Sequence, residues 1–212
     1  MVSQKSSSPP PTPMPATAKE PKRKRGIARV ARLLDAGAAV FAEQGYKAAT
    51  MTEIAARAGA PIGSLYQFFP NKDLLADALV ARYAEHLATE LEAIRQAAPQ
   101  LHADGLSARL LEMFLAHASE RSLVLSLLDA RWEQPGVRPG VLRASLRQQI
   151  VSILAAWRPS LGEEEQQAMA SVVLEAMKTM AQFHQEERFP GKSLALEHWR
   201  RWVVTYLADM AG

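Results

Sequence analysis

The sequence predicts an all-α protein of about nine helices. Apolar residues recur at the spacing of an α-helix through most of the chain, as at Val30, Leu33, Leu34 and Phe41. Breaks rich in proline and glycine separate these segments, for example 159–162. The alternation of apolar and polar residues that is typical of a half-buried strand is absent from the sequence.

The first four helices have recognisable starts and stops. The first ends at Gly45, and the second opens with Thr50–Glu53, whose spacing is that of a capping box. The third is a short segment within 59–70, bounded by a glycine and a proline. The fourth starts after Asn71, a good N-cap, and runs toward Pro99. The remaining five are predicted over Leu106–His117, Arg121–Glu133, Val141–Trp157, Glu163–Glu187 and Leu194–Met210.

The second and third helices are each too short to be stable alone in water. Neighbouring helices must therefore support them, which leaves one face of the third helix free for a partner. Two short helices joined through Gly59 form a helix-turn-helix, the motif that places its second helix in the major groove of DNA.

The charge distribution agrees with a DNA-binding N-terminal end. The whole chain has a net charge of +3. Residues 1–72 contain 11 Lys/Arg and 4 Asp/Glu, a net +7, whereas residues 73–212 contain 14 and 18, a net −4. The positive charge therefore lies at the helix-turn-helix end, as expected for a DNA-binding region on a neutral-to-acidic body.

The composition argues against a secreted or membrane protein. The chain has no cysteine, which fits a reducing compartment, and its N-terminus lacks the apolar core of a secretory signal. No apolar run approaches the about 20 residues of a membrane-spanning helix. We therefore expect a cytoplasmic protein without a membrane partner.

The sequence gives little support for catalysis. It has no Gly-x-Ser-x-Gly, His-Glu-x-x-His, Walker or Gly-x-Gly-x-x-Gly motif, and its five histidines fall on separate segments. His184 and Glu187 have a spacing that a metal site can use, but solvated surface residues are the simpler interpretation. We expect no catalytic residues, no cofactor and no metal.

Residues 1–25 are predicted to form a disordered tail that ends in a basic arm. The first 21 residues are rich in Ser, Pro, Thr and Ala without periodicity, a composition that cannot bury a core. The run Lys22, Arg23, Lys24 and Arg25 follows directly. Its position favours contact with the DNA backbone or minor groove, and the alternative is a solvated tail.

The third helix carries the residues expected to read DNA. Ser64 and Gln67 can reach base edges, and glutamine can pair bidentately with adenine. Ile62 can contact a thymine methyl group, and Gly63 permits close approach of the backbone. The packing side is predicted to consist of Leu65, Phe68 and Phe69.

The segment from Val30 to Leu75 resembles the DNA-binding domain of the TetR family of transcriptional regulators. The residues that carry the resemblance are Ala36, Phe41, Gly45, Tyr46, Thr50, Ile54, Ala55, Ala58, Gly59, Gly63, Leu65, Tyr66, Phe69, Lys72, Leu74 and Leu75. One position departs from the pattern, since Pro61 stands where family members often carry a serine that caps the recognition helix. Proline offers neither a donor nor a hydroxyl, so we exclude it as a DNA contact.

The resemblance implies further contacts, domain limits and partners. Tyr66, Lys72 and Thr50 would contact phosphates, the last beside the free N–H groups of a helix start. The DNA-binding domain would span 26–86, and an effector-binding and dimerisation domain would span 87–212. The partners would be an operator in double-stranded DNA, a second copy of the chain and a small hydrophobic effector.

The last two helices carry broad apolar faces that suggest a partner subunit, and the resemblance implies that both helices form the dimer interface. The alternative is core packing within one chain. The predicted interface residues are Met169, Val172, Val173, Ala176, Trp199, Trp202, Val203, Tyr206 and Leu207.

An effector pocket would lie among the middle helices, because bulky aromatic side chains and adaptable methionines line such cavities. Each residue could instead belong to the core. The candidates are Phe114, His117, Leu128, Trp132, Trp157, Met177, Met180, Phe183 and His184.

The predicted function is a ligand-responsive transcriptional regulator, most simply a repressor that binds a palindromic operator as a homodimer. The alternative keeps DNA binding but has no small-molecule effector. A helical enzyme or carrier with an incidental basic tail is a third class, which salt-dependent binding to specific DNA would exclude.

Overall fold

The protein is an assembly of helices in all the parts that the computed structural model describes, namely residues 19–131, 139–186 and 190–210. These ranges contain nine α-helices, one short 3₁₀ turn (Ala98–Gln100) and no strand, so the all-α prediction is confirmed. The helices are α1 (Lys19–Ala48), α2 (Met51–Arg57), α3 (Ile62–Phe68), α4 (Lys72–Ala97), α5 (Ala103–Ala116), α6 (Ala118–Ala130), α7 (Pro139–Trp157), α8 (Glu163–Gln185) and α9 (Lys192–Met210).

Helix α1 differs from its predicted limits at both ends. Its backbone is helical from Lys19, so residues 19–25 continue the helix instead of forming the disordered arm expected there. Residues 1–18 lie outside the described part of the chain. At the other end the helical run passes the predicted stop and reaches Ala48, but it is broken at Gly45, whose φ of 77° lies in the left-handed region.

The buried apolar residues form two cores that share α4. The first core, which we call the head core, joins α1, α2, α3 and the start of α4. The second, the body core, joins α4 to α9. Along α4 the change falls between Leu79, in the head core, and Tyr83, in the body core. Leu127 of α6 is fully buried in the head core, so the body also contacts the head directly.

The body is a helical bundle in which α7 packs against α4 and α8, and α9 packs against α5 and α8. None of the helices in the described ranges combines the length and apolar character that crossing a membrane requires.

Candidate DNA-binding surface and effector cavity

The local sequence explains why α2 and α3 meet at a tight turn. Thr50 accepts from the N–H of Glu53 while the Glu53 carboxylate accepts from the N–H of Thr50 over 2.9 Å, which completes the predicted capping box. At the other end of α2, Gly59 has a φ of 58°, and Ala60 N–H donates to the carbonyl of Ala55 over 3.0 Å. This is the Schellman arrangement, which ends α2 and redirects the chain into α3.

Helix α3 is held on its inner side and open on its outer side. Leu65 is fully buried in the head core and Phe69 follows it there. Four predicted DNA-contacting residues are exposed to solvent: Ile62, Gly63, Tyr66 and Gln67. The prediction that Phe68 packs inward is wrong, because 38% of this residue is exposed beside the same surface.

Ser64 is half-buried and has a partner that the sequence analysis missed. The Arg29 guanidinium on α1 donates to the Ser64 hydroxyl over 3.4 Å. Arg25, Arg29 and Arg32 are all exposed, and their spacing places them on one side of α1. We call these three residues the basic face. That spacing was the signal in the sequence from which it could have been predicted.

The side chains of Lys22, Arg23 and Lys24 lie outside the described residues, although their backbone continues α1. Of the predicted basic arm, only the Arg25 side chain is described, and it is exposed. A contact between this run and DNA therefore stays a prediction.

Lys72 and Thr50 already have partners within the protein. The Lys72 ammonium donates to the carbonyls of Ala49 over 2.9 Å and Lys47 over 3.2 Å. It also lies 4.6 Å from the centre of the Tyr46 ring. Lys72 thus fixes the end of α1 against the start of α4, and Thr50 caps α2. Their predicted phosphate contacts would add to these structural roles.

The body contains a cavity of about 320 Å³ between α4, α5, α6, α7 and α8. Phe114 and Leu128 line it, as predicted candidates. Its lining has an apolar part and a charged part. The lining residues are Tyr83, Phe114, Arg121, Val124, Leu125, Leu128, Asp129, Gly140, Leu142, Arg143, Leu146, Leu174 and Lys178.

Most other effector candidates lie elsewhere. Met177 and Met180 are fully buried in the body core, and Trp157 is fixed there by donating to the Leu101 carbonyl over 2.9 Å. They fill space between helices and do not line this cavity, so their contact with an effector stays a prediction. The remaining candidates are also outside this lining: His117 and Phe183 are half-buried, His184 is exposed, and Trp132 lies outside the described residues.

The polar part of the cavity is mainly cationic. Arg121, Arg143 and Lys178 contribute positive charge, against the single carboxylate of Asp129. The Lys178 ammonium donates to Glu175 over 2.8 Å, and this bond lowers the pKa of the Glu175 carboxyl. Burial raises the pKa of Tyr83 to about 12 against the nearby Arg121 charge, so its hydroxyl stays protonated at neutral pH and can donate to a ligand.

The predicted dimer interface divides into buried and exposed residues. Five of its members are buried within one chain, which makes them core residues and corrects their assignment to an interface; they are Met169, Val173, Ala176, Val203 and Leu207. Val172 is exposed, as is Trp202, at 47%. Trp202 stacks on Tyr206 with a centroid distance of 5.6 Å and meets Trp199 edge-on at 5.7 Å. We call these three residues the aromatic stripe of α9.

A buried arginine joins the end of α6 to the start of α4. Arg131 is 4% exposed, and its guanidinium donates to Asp77 over 2.7 Å and to Asp73 over 3.3 Å. Asp73 also accepts from the Tyr46 hydroxyl. Arg131 follows the cavity residues Leu128 and Asp129 by less than one helical turn, whereas Asp73 lies just after the recognition helix α3. The cavity and the DNA-binding head are therefore close neighbours through this junction.

A helix-turn-helix with an open recognition helix and an adjoining basic face, set on a helical body, defines a DNA-binding transcriptional regulator. Residues 33–79 match the family model described as bacterial regulatory proteins, tetR family. Over this segment the resemblance to the DNA-binding domain of TetR-family regulators is confirmed. Members of this family are transcription factors, not enzymes.

Several solved structures share the fold over nearly their whole length. A TetR-family regulator from Streptomyces coelicolor is 25% identical, with a TM-score of 0.57 over 87% of this chain and 98% of that chain. GusR from Salmonella enterica is 20% identical, with a TM-score of 0.62 over 92% and 98%. The multidrug binding protein EbrR, solved with imidazole, is 22% identical, with a TM-score of 0.58 over 84% and 94%. No curated protein sequence matches the chain.

Proposed function

We propose that the protein is a ligand-responsive repressor that binds a palindromic operator as a homodimer. The observation that carries this proposal is the position of the cavity, because α6 lines it and ends at the arginine that holds the start of α4. A ligand that displaces α6 would act on the recognition helix without touching any residue that contacts DNA.

The head supplies DNA binding through two surfaces. The exposed outer side of α3 would enter the major groove, with Gln67 placed for base contacts and Tyr66 for a phosphate. The basic face of α1 would neutralise phosphates beside that groove. Arg29 is bonded to Ser64, so it would link the phosphate contacts to the position of α3.

A second copy of the chain would cover the aromatic stripe of α9 and the exposed Val172 of α8. Exposed tryptophan is unusual on a soluble surface and is enriched at protein interfaces. A helix-turn-helix dimer reads two half-sites whose spacing equals the separation of its two recognition helices. Pairing through α8 and α9 would leave both heads free to contact one operator.

The cavity favours an effector that is an apolar acid. Its lining combines aliphatic side chains and Phe114 with Arg121, Arg143 and Lys178. A carboxylate would find charge-assisted donors there, and an apolar body of modest size would fill the rest. EbrR, which shares the fold, is described as a multidrug binding protein.

Two measurements on the full-length protein test this proposal. An operator is first obtained by in vitro selection from random duplex DNA, and a panel of alkyl and aryl carboxylic acids is then screened for a rise in melting temperature. An acid at about one hundred times its Kd adds about 2.7 kcal/mol of stability. We expect at least one such acid to weaken operator binding as well.

The methyl ester of each active acid and an Arg143→Gln variant are the matched controls. Each control removes one side of the expected ion pair. The ester should therefore bind the wild-type protein, and the acid should bind the variant, with affinity at least about tenfold lower than that of the acid for the wild type. If no acid stabilises the protein while operator binding is intact, the apolar-acid effector is excluded and the alternative of a regulator without a small-molecule effector is favoured.

A further inference from the structure

Two histidines that are distant in the sequence meet where α4 passes the corner between α5 and α6. His86 lies on α4, His117 lies between α5 and α6, and Glu120 lies in the first turn of α6. The Glu120 Oε2 atom is 3.4 Å from Nδ1 of His86 and 3.3 Å from Nδ1 of His117. One ligand atom from each of the three side chains lies within 4.8 Å of the others.

These separations suit a transition-metal ion. Zinc binds imidazole nitrogen at about 2.0–2.1 Å and carboxylate oxygen at about 2.0–2.2 Å, so neighbouring ligand atoms in a tetrahedron are about 3.4 Å apart. The two contacts of Glu120 match that spacing, and the two histidine nitrogens lie within 4.8 Å of each other. Two imidazoles and one carboxylate are also a donor set that zinc uses when a fourth position is open.

The surroundings of His117 supply an independent sign of a ligand. Its Nε2 atom is 2.8 Å from the Glu90 carboxylate, on the ring side opposite to Nδ1. A metal-bound histidine almost always donates its other N–H to such an acceptor, which fixes the ring orientation. Glu90 is one helical turn after His86 on α4, so a single helix carries one ligand and the orienting carboxylate.

Arg82 lies near one oxygen of Glu120 and leaves the other, Oε2, accessible to a metal ion. Its Nε atom lies 3.8 Å from Oε1 of Glu120, whereas both histidines face Oε2. The same guanidinium donates to Asp35 of α1 over 2.7 Å. His117 and Glu120 are partly buried and His86 is half-exposed, so the cluster is open to solvent on one side.

The geometry points to a binding site for a zinc-type divalent cation, with His86, His117 and Glu120 as ligands, Glu90 as the orienting carboxylate and a fourth position open to water. The ion would join α4 to the start of α6. Since α4 leads directly from the recognition helix, and Arg82 connects Glu120 to α1, metal binding would be a second input to the position of the head, separate from the cavity.

The test is a titration of the full-length, tag-free protein with Zn²⁺ after treatment with a chelator. Calorimetry should give one ion per chain, and Co²⁺ should give the visible absorption of a four- or five-coordinate site with nitrogen ligands. His86→Ala, His117→Ala and Glu120→Gln should each lower the affinity by more than tenfold. Glu90→Gln should lower it about tenfold to a hundredfold, as for other outer partners of metal-bound histidines.

His198→Ala on α9 is the matched control, because it removes an exposed histidine elsewhere and should leave the affinity unchanged. Circular dichroism and thermal unfolding of the metal-free protein confirm that each variant is folded. Wild-type protein without stoichiometric Zn²⁺ binding, or a folded His86→Ala variant with unchanged affinity, would refute the site. Stoichiometric binding that only the three ligand substitutions and Glu90→Gln weaken would establish it.

Discussion

At the scale of single residues, the head separates side chains that face solvent from side chains that hold the motif together. Gln67 is exposed on α3, whereas Lys72 and Thr50 are bonded to neighbouring backbone and capping groups. Residue type did not reveal this difference, since all three are polar and lie within one short stretch. Only a side chain that faces solvent, such as that of Gln67, can be removed without affecting the motif. Such a residue therefore gives the clearest test of DNA recognition.

Gln67→Ala should relax base preference, while Arg29→Ala should weaken binding to all sequences. A good base contact is worth about 1–3 kcal/mol against the wrong base, whereas a phosphate contact carries no sequence information. Arg29→Ala should also reduce the slope of log affinity against log salt by about 1. Fluorescence anisotropy with selected and random duplexes at several salt concentrations measures both effects. Equal losses on both duplexes for Gln67→Ala would contradict its role in base readout.

Gly59→Ala should destabilise the protein by about 1 kcal/mol, because a side chain at its left-handed φ of 58° is strained. Gly63→Ala is the matched control. Gly63 lies in α3 with open space around the position of an added Cβ, so alanine there should be neutral or stabilising through helix propensity. Urea unfolding followed by circular dichroism measures the two changes. A Gly59→Ala protein as stable as the wild type would show that the turn tolerates another backbone conformation.

At the scale of the elements, helix limits were largely predictable, but the partners of their faces were not. Caps and breakers are local signals, which is why α2, α7 and α9 begin and end near their predicted positions. The width of an apolar face does not show whether the helix packed on it belongs to the same chain. Val203, predicted at an interface, is fully buried within one subunit. Similarly, no local pattern links His86 to His117, because only the packing of α4 beside α5 and α6 brings them together.

The aromatic stripe, in which Trp202 is exposed, gives a sharper test of dimerisation than the buried positions. Trp202→Glu should produce monomers that remain folded, because Trp202 is 47% exposed in one chain and an interfacial charge without a partner is costly. Operator affinity should fall with the loss of the second head. Light scattering and circular dichroism measure assembly and folding.

Val141→Glu on α7 is the control for Trp202→Glu, since it places the same charge at an apolar residue that is 63% exposed. This variant should remain dimeric. A Trp202→Glu protein that stays dimeric, or a wild-type protein that is monomeric at micromolar concentration, would exclude the aromatic stripe as the interface.

At the scale of the whole molecule, two kinds of contact join the body to the head. Leu127 of α6 is buried in the head core, and Arg131 binds both Asp73 and Asp77 at the start of α4. The cavity lies directly before this junction along α6. A ligand can change operator affinity only as far as it prefers one arrangement of the junction over another. The ion pairs of Arg131 are the part of the junction that a single substitution removes.

Arg131→Met should therefore uncouple effector binding from operator release. Methionine keeps much of the apolar volume, and Asp73 and Asp77 remain solvated at 44% and 58% exposure, so we expect the fold to survive. The effector should raise the melting temperature as in the wild type. Couplings between sites are typically about 1–3 kcal/mol, or about 5–150-fold in affinity, and the variant should lose most of that factor.

Arg95→Met is the control for Arg131→Met, because it removes an exposed arginine paired with Glu92 on the same helix α4. This variant should keep the coupling of the wild type. Anisotropy with and without the effector measures the coupling, and an Arg131→Met protein that releases its operator as fully as the wild type would show that the signal travels through the apolar contact of Leu127 instead.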